Sequence, residues 1–245
     1  MWSALLWGAI SGSAVLLGAL LALYLPIPKK LIGFIMAFGT GVLIGAAAYE
    51  LLDDSAAEGG LNPTIIGFLA GAVVFTLFDW YISRKGGAGR KRSGRDSSSK
   101  KVQGSGMAIF AGTVLDAIPE SIMIGASLIS GQGVSMLLVA AIFISNIPEG
   151  LSSTSGLKQD NYSKGKIVLL WLSVLLMSSV ASGAGYLFMD HASGSTTALI
   201  ASFAGGGIIS MVSSSMMPEA YEEGGPLTGL VAAMGMLCSL ILDNL

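Results

Sequence analysis

The sequence predicts an all-α membrane protein of eight transmembrane helices, and three observations point there. First, 53% of the 245 residues are hydrophobic and only 11% are charged. A soluble domain carries about 25% charged residues, so the composition points to lipid as the solvent. Second, the stretches 2–25, 31–49, 61–78, 167–189, 192–218 and 224–242 contain no Asp, Glu, Lys or Arg. Each has roughly the 20 residues that a helix needs to cross the hydrocarbon core. Two further runs, 105–129 and 134–156, are as apolar except for three carboxylates. Third, all 13 Lys and Arg fall in three places: Lys29 and Lys30, the segment from Arg84 to Lys101, and Lys158, Lys164 and Lys166. These are alternate loops, which the positive-inside rule makes cytoplasmic. Both termini are then expected outside, in agreement with an even number of spans.

The chain is read as one transporter domain over residues 1–245, with spans at about 2–25, 31–52, 62–83, 105–129, 134–156, 167–189, 195–218 and 225–243. The first run lacks a basic leader and a small-residue cleavage site before Pro26 and Pro28. It is also longer than a signal-peptide core, so it reads as a span. Span two ends in Glu50, Asp53, Asp54 and Glu58, a solvated helix end or an external cluster that draws in cations. Residues 84–104 form a flexible basic cytoplasmic loop by composition. Asp79 and Asp243 are expected at the interface, and His191 beside Asp190 in a solvated loop. Ser178, Ser179 and Ser182, like Ser213, Ser214 and Ser215, fit helix packing better than a hydrated path. Glu219, Glu222 and Glu223 read as a cytoplasmic cluster at the exit of span seven. The 34 glycines suit close helix packing in lipid. The one cysteine, Cys238, excludes an internal disulfide and any cysteine-based zinc site. A net charge of −2 argues against a nucleic-acid partner.

Two internal repeats appear. Asp116-Ala117-Ile118-Pro119-Glu120-Ser121 returns 29 residues later as Ser145-Asn146-Ile147-Pro148-Glu149-Gly150. At an offset of 165, Phe38, Gly41, Ile44, Glu58, Gly59 and Gly60 meet Phe203, Gly206, Ile209, Glu223, Gly224 and Gly225. The related spans run in opposite directions, so these are inverted-topology repeats in a 3+2+3 plan, the usual construction of secondary transporters.

The chemistry gathers in spans four and five. Asp116 and Glu120 are four residues apart and share a helix face; Glu149 lies near the middle of span five, with Ser145 and Asn146 one turn earlier. A charge at the bilayer centre costs roughly 2.5–3.5 kcal/mol, and no Lys or Arg lies within any span to offset it. The carboxylates must be protonated or meet a cation from outside the chain. Pro119 and Pro148 each free a carbonyl four residues back, at Leu115 and Ile144. In lipid such a carbonyl is tolerated where protein, water or an ion satisfies it. Asp116, Glu120, Asn146, Glu149 and Ser145 are therefore the candidate metal ligands.

With these residues in hand, the chain resembles the ZIP (Zrt/Irt-like) metal transporters over its whole length. The most specific parts are Pro119-Glu120 and Asn146-Ile147-Pro148-Glu149-Gly150, where family members carry His-Asn-x-Pro-Glu-Gly-type motifs. The resemblance implies uptake of Zn²⁺, Fe²⁺ or Mn²⁺ into the cytoplasm, with Glu120 and Glu149 as bridging ligands. Three positions depart from the pattern: Asp116 replaces the span-four histidine, Ala117 the following Asn, and Ser145 a His or Gln. An oxygen-only ligand set favours Mn²⁺ or another hard cation over zinc.

The expected function is thus divalent-metal transport by a multi-pass protein of the cell membrane, with the metal as substrate and no other cofactor. Its partners are the metal and the bilayer, and a homodimer is compatible with this reading. A non-transporting homologue acting as scaffold or metal sensor is the first alternative. An intramembrane metal-dependent hydrolase is remote, because no His or Lys at membrane depth could activate Ser145.

Overall fold

The computed structural model describes residues 1–84, 105–128, 134–189 and 192–244, and among these every regular element is helical. The basic loop read at 84–104 falls, apart from Arg84, outside the described residues, as do Asp190 and His191. The first helix, α1 (Trp2–Tyr24), stops where Leu25 turns extended ahead of Pro26 and Pro28. The second, α2 (Lys29–Ala46), runs through a π-helical segment, Ala47–Asp53, into α3 (Asp54–Gly59). Four long helices follow: α4 (Leu61–Arg84), α5 (Ser105–Ser127), α6 (Met136–Gln159) and α7 (Lys164–Met189). Next, α8 (Gly194–Met211) passes through a second π segment, Val212–Met216, into α9 (Met217–Gly224), and α10 (Thr228–Asp243) closes the chain. Ser135 and Ser193 cap α6 and α8, their hydroxyls accepting from the amides of Leu138 and Thr196 at 3.0 and 3.3 Å, which satisfies helix-end donors.

Six segments of the described chain are long and apolar enough to cross a membrane. The last of them, Gly194–Asp243, takes in α8 to α10. It turns at Gly225, whose φ of 75° is open to glycine at little cost. The helices that hold predicted spans two and seven run on past 52 and 218, to Gly59 and Gly224. The helix continues past the carboxylates, because Ser-Ala-Ala-Glu and Glu-Ala-Tyr-Glu-Glu still favour helix. It stops at glycine: Gly60 has φ 93° and Gly225 has φ 75°.

The helices form two groups. In one, α1 lies along α6 and α7, and α5 along α7; in the other, α4 lies along α8 and α10 along α2. The main contact between the groups is α2 on α6. A core around Leu43, Leu138, Ile142 and Met211 fills this junction, and a second surrounds Trp171 inside the first group.

Within each group the helices touch backbone to backbone, and the contacts come in symmetric sets. A Cβ at Gly18 or Gly150 of the α1/α6 pair would lie 2.1 or 2.2 Å from the carbonyl oxygen of Ile147 or Val15. In the α7/α5 pair, Gly185 and Gly125 stand in the same relation to Ile122 and Ser182, at 2.2 and 1.8 Å. The other group repeats the device: Gly41 and Gly235 meet Ala232 and Phe38 at 1.9 and 2.1 Å, while Gly206 and Gly71 meet Phe68 and Phe203 at 2.0 and 1.9 Å. Both π segments, at Ala47 and Val212, and both positive-φ glycines, Gly60 and Gly225, also fall 165 residues apart.

The longer sequence repeat is therefore a repeat of structure. The shorter one has a different register. Ile122 and Gly125 correspond to Ile147 and Gly150 by their packing, a separation of 25 rather than 29. Glu120 and Glu149 are thus about one helical turn out of symmetric register.

Candidate metal site

Pro119 and Pro148 both lie inside unbroken helices, α5 and α6. A proline costs such a helix about 3 kcal/mol or more in water, and the surrounding packing carries that cost here. Asp116, Glu120, Ser145, Asn146 and Glu149 are all buried, at 2 to 6% exposure. The hydroxyls of Thr113 and Ser153 stand 3.4 Å apart across α5 and α6, and the helices run antiparallel from there. Counting along them in opposite senses puts Glu120 level with Asn146, and Asp116 level with Gly150, beside Glu149.

The shared face of Asp116 and Glu120 is as their spacing predicts. With Pro119 they line a cavity of about 160 Å³ whose other walls are apolar, including Gly71, Phe75, Phe203 and Met211 from α4 and α8. Glu149 and Asn146 are not part of that lining. Among the described residues, no three His, Cys, Asp or Glu side chains are grouped to hold one metal ion. A site between α5 and α6 therefore needs amide or hydroxyl oxygen beside carboxylate. The Ser145 hydroxyl donates to the Ile142 carbonyl at 3.0 Å within its own helix. Its Cα would lie 2.9 Å from a Cβ at Gly39, so Ser145 is where α2 presses on α6.

A further carboxylate enters from α9. Glu219 is 4% exposed and accepts a hydrogen bond from Ser152, one turn beyond Glu149. In the sequence it reads as part of a cytoplasmic cluster at the exit of span seven, yet a signal for its burial was available, since Pro218-Glu219 is the third Pro-Glu step in the chain. Its neighbour Glu222 is exposed, as that reading expects.

At the opposite end of the molecule Glu50, Asp54 and Glu58 line one cavity of about 560 Å³ together with Ser127 and Ser135. The spacing of four keeps all three on one face. Asp53 points elsewhere and is exposed. The span-six serines pack helices rather than line a path. Ser179 and Ser182 donate to the carbonyls of Leu5 and Ala4, both at 2.8 Å.

No family model matches the chain. Individual relatives do. Zinc transporter SLC39A7 of Canis lupus familiaris is 24% identical over 173 residues, covering 65% of this chain and 37% of that protein. An Arabidopsis thaliana protein given the provisional name of a zinc transporter is 25% identical over 212 residues, covering 86% of this chain and 33% of its own length. Zinc transporter SLC39A7 of Homo sapiens is 25% identical over 144 residues, or 56% and 31% of the two chains. The chain thus spans about a third of the length of these curated relatives, none of which is named as an enzyme. By sequence this chain is a homologue of proteins named zinc transporters, in agreement with the ZIP resemblance carried by its Pro-Glu motifs.

Proposed function

We propose that this protein carries a divalent metal ion across the cell membrane into the cytoplasm, through a site between α5 and α6 made by Asp116, Glu120, Asn146 and Glu149. The observation that carries the reading is the burial of three carboxylates and an amide on two neighbouring helices. There α5 has no basic residue and α6 has only Lys158, in its last turn. Such a cluster is costly in lipid unless a cation or protons neutralise it. The relatives named as zinc transporters support the cation. They also disfavour the hydrolase, and nothing in the structure favours a scaffold or sensor.

The chain crosses the bilayer eight times in this reading, counting α5 and separating α8 from α10, with both termini outside. Lys29, Lys158, Lys164 and Lys166 stand with α9 at the cytoplasmic end. The two helix groups suit alternating access. Glycine-to-backbone contacts make each group a stiff unit, whereas the groups meet mainly through one helix pair. Ion gradients drive transport, protons leaving the carboxylates as metal binds.

The donors are all oxygen, so the preferred substrate is Mn²⁺ or another hard cation. In proteoliposomes supplied with both ions, Mn²⁺ uptake is expected to exceed Zn²⁺ uptake and to be little reduced by equal zinc. A zinc preference would overturn the oxygen-only assignment while leaving transport intact. A total lack of uptake of either ion would overturn transport itself.

A further inference from the structure

The inverted repeat relates two Ser–carboxylate pairs that stand in different states. Asp54 of α3 and Glu219 of α9 are repeat mates, 165 residues apart, each seven residues beyond the start of its π segment. Ser127 of α5 and Ser152 of α6 are 25 apart, the separation that Gly125 and Gly150 keep in their packing. In both pairs the serine belongs to one helix group and the carboxylate to the other. At the α9 end the pair is closed: Ser152 donates to Glu219, and the two residues are 5 and 4% exposed. At the α3 end it is open. Asp54 is exposed, and it and Ser127 line the cavity of about 560 Å³. The Ser127 hydroxyl there donates within its own helix to the Ile124 carbonyl at 2.9 Å and accepts from the Ser135 amide at 3.1 Å.

We infer that Ser152–Glu219 and Ser127–Asp54 are the two ends of one latch that exchange on transport. In the opposite state the Ser127 hydroxyl turns to the Asp54 carboxylate and closes the α3 end. Glu219 releases Ser152, and a cavity opens at the α9 end. The physical basis is the symmetry itself. Two packings related by an inverted repeat differ by swapping the environments of repeat mates, and a hydrogen bond to a charged group is strong enough to bias such a two-state balance. The two pairs bridge the same two helix groups at opposite ends, so rocking one group against the other draws one pair together as it parts the other. The inference rests on the transport reading for its purpose, and its test does not depend on metal flux.

The test uses the full chain with Cys238→Ala, reconstituted in liposomes. Ser152→Cys with Glu219→Cys is expected to crosslink readily, and this pair also reports that the chain is folded. Ser127→Cys with Asp54→Cys is expected to crosslink more slowly, as molecules visit the opposite state. Glu219→Cys, added as a third substitution, should then react with a water-soluble maleimide about tenfold faster than in the uncrosslinked chain. Milder variants guard against misfolding. Ser152→Ala alone should slow labelling of Asp54→Cys about twofold, because a roughly tenfold shift in the balance takes a cavity that is open most of the time to one open about half the time. Failure of the Ser127/Asp54 pair to crosslink, where the Ser152/Glu219 pair does, would overturn the latch. So would unchanged reactivity at position 219 after crosslinking. Swapped reactivity without metal uptake by the native chain would uphold the latch and overturn the transport reading. Robust uptake with no swap would do the reverse.

Discussion

Glu120→Ala and Glu149→Ala are each expected to reduce metal uptake into proteoliposomes by about 100-fold, since even residues that only support metal ligands cost 10–100-fold when removed. Both side chains are buried, at 3 and 6% exposure, on helices with no basic residue beside them. Removing either leaves a cation short of charge at a depth where water cannot replace it. Glu120→Gln and Glu149→Gln keep the shape and one oxygen, so they separate charge from packing. If the site reading holds, the Gln variants transport almost as poorly as the Ala variants while eluting as native protein. The double variant should be no worse than the worse single one, because both act on one site. Native uptake in all of them would demote these carboxylates to protonated packing groups. Glu219→Gln lies outside the proposed ligand set and is expected to alter turnover more than the half-saturating metal concentration.

Gly125→Val and Gly41→Val should leave little folded protein. A Cβ at Gly125 would sit 1.8 Å from the carbonyl oxygen of Ser182, and one at Gly41 would sit 1.9 Å from that of Ala232. The obstacle is backbone on a neighbouring helix, which cannot swing away like a side-chain tip. Overpacking of this kind costs about 1–3 kcal/mol where the core can adjust, and here helices must separate, so about 3 kcal/mol or more is expected. Gly165→Ala and Gly229→Ala are the controls, since nothing lies within 4 Å of a Cβ at either position. Thermal unfolding in detergent reads the difference. Equal midpoints for Gly125→Val and Gly229→Ala would show that the helix contacts are looser than described.

The ends of the helices show where reading the sequence stops. The helices α2, α6 and α8 start at Lys29, Met136 and Gly194, within about two residues of the starts read from the apolar runs. At predicted spans two and seven the helices outrun the apolar runs. Charge suggested a boundary there, while the backbone ran on to a positive-φ glycine. Hydropathy measures solvent preference residue by residue, and it cannot see a π turn that carries a helix past its first carboxylate. The burial of Glu219 was missed for the same reason. Its charge pointed to water, and only the neighbouring α6 supplies the Ser152 hydroxyl that receives it.

Composition, the apolar runs and the distribution of basic residues by themselves determined a helical membrane protein, because each is a local statement about solvent. The helical spacing of Asp116 and Glu120 likewise determined that they share a face. The tertiary structure decided what depends on distance between helices. It brought Glu219 to Ser152, set Asp54 and Ser127 in the lining of one cavity, and tied Ser145 to α2. It also set the repeat of α5 and α6 at 25 residues instead of 29, so the two Pro-Glu steps are not symmetry mates. Similar motifs recur in a sequence for several reasons. Which residues occupy equivalent places is settled by the close approach of backbones at glycine, a contact between positions far apart in the chain.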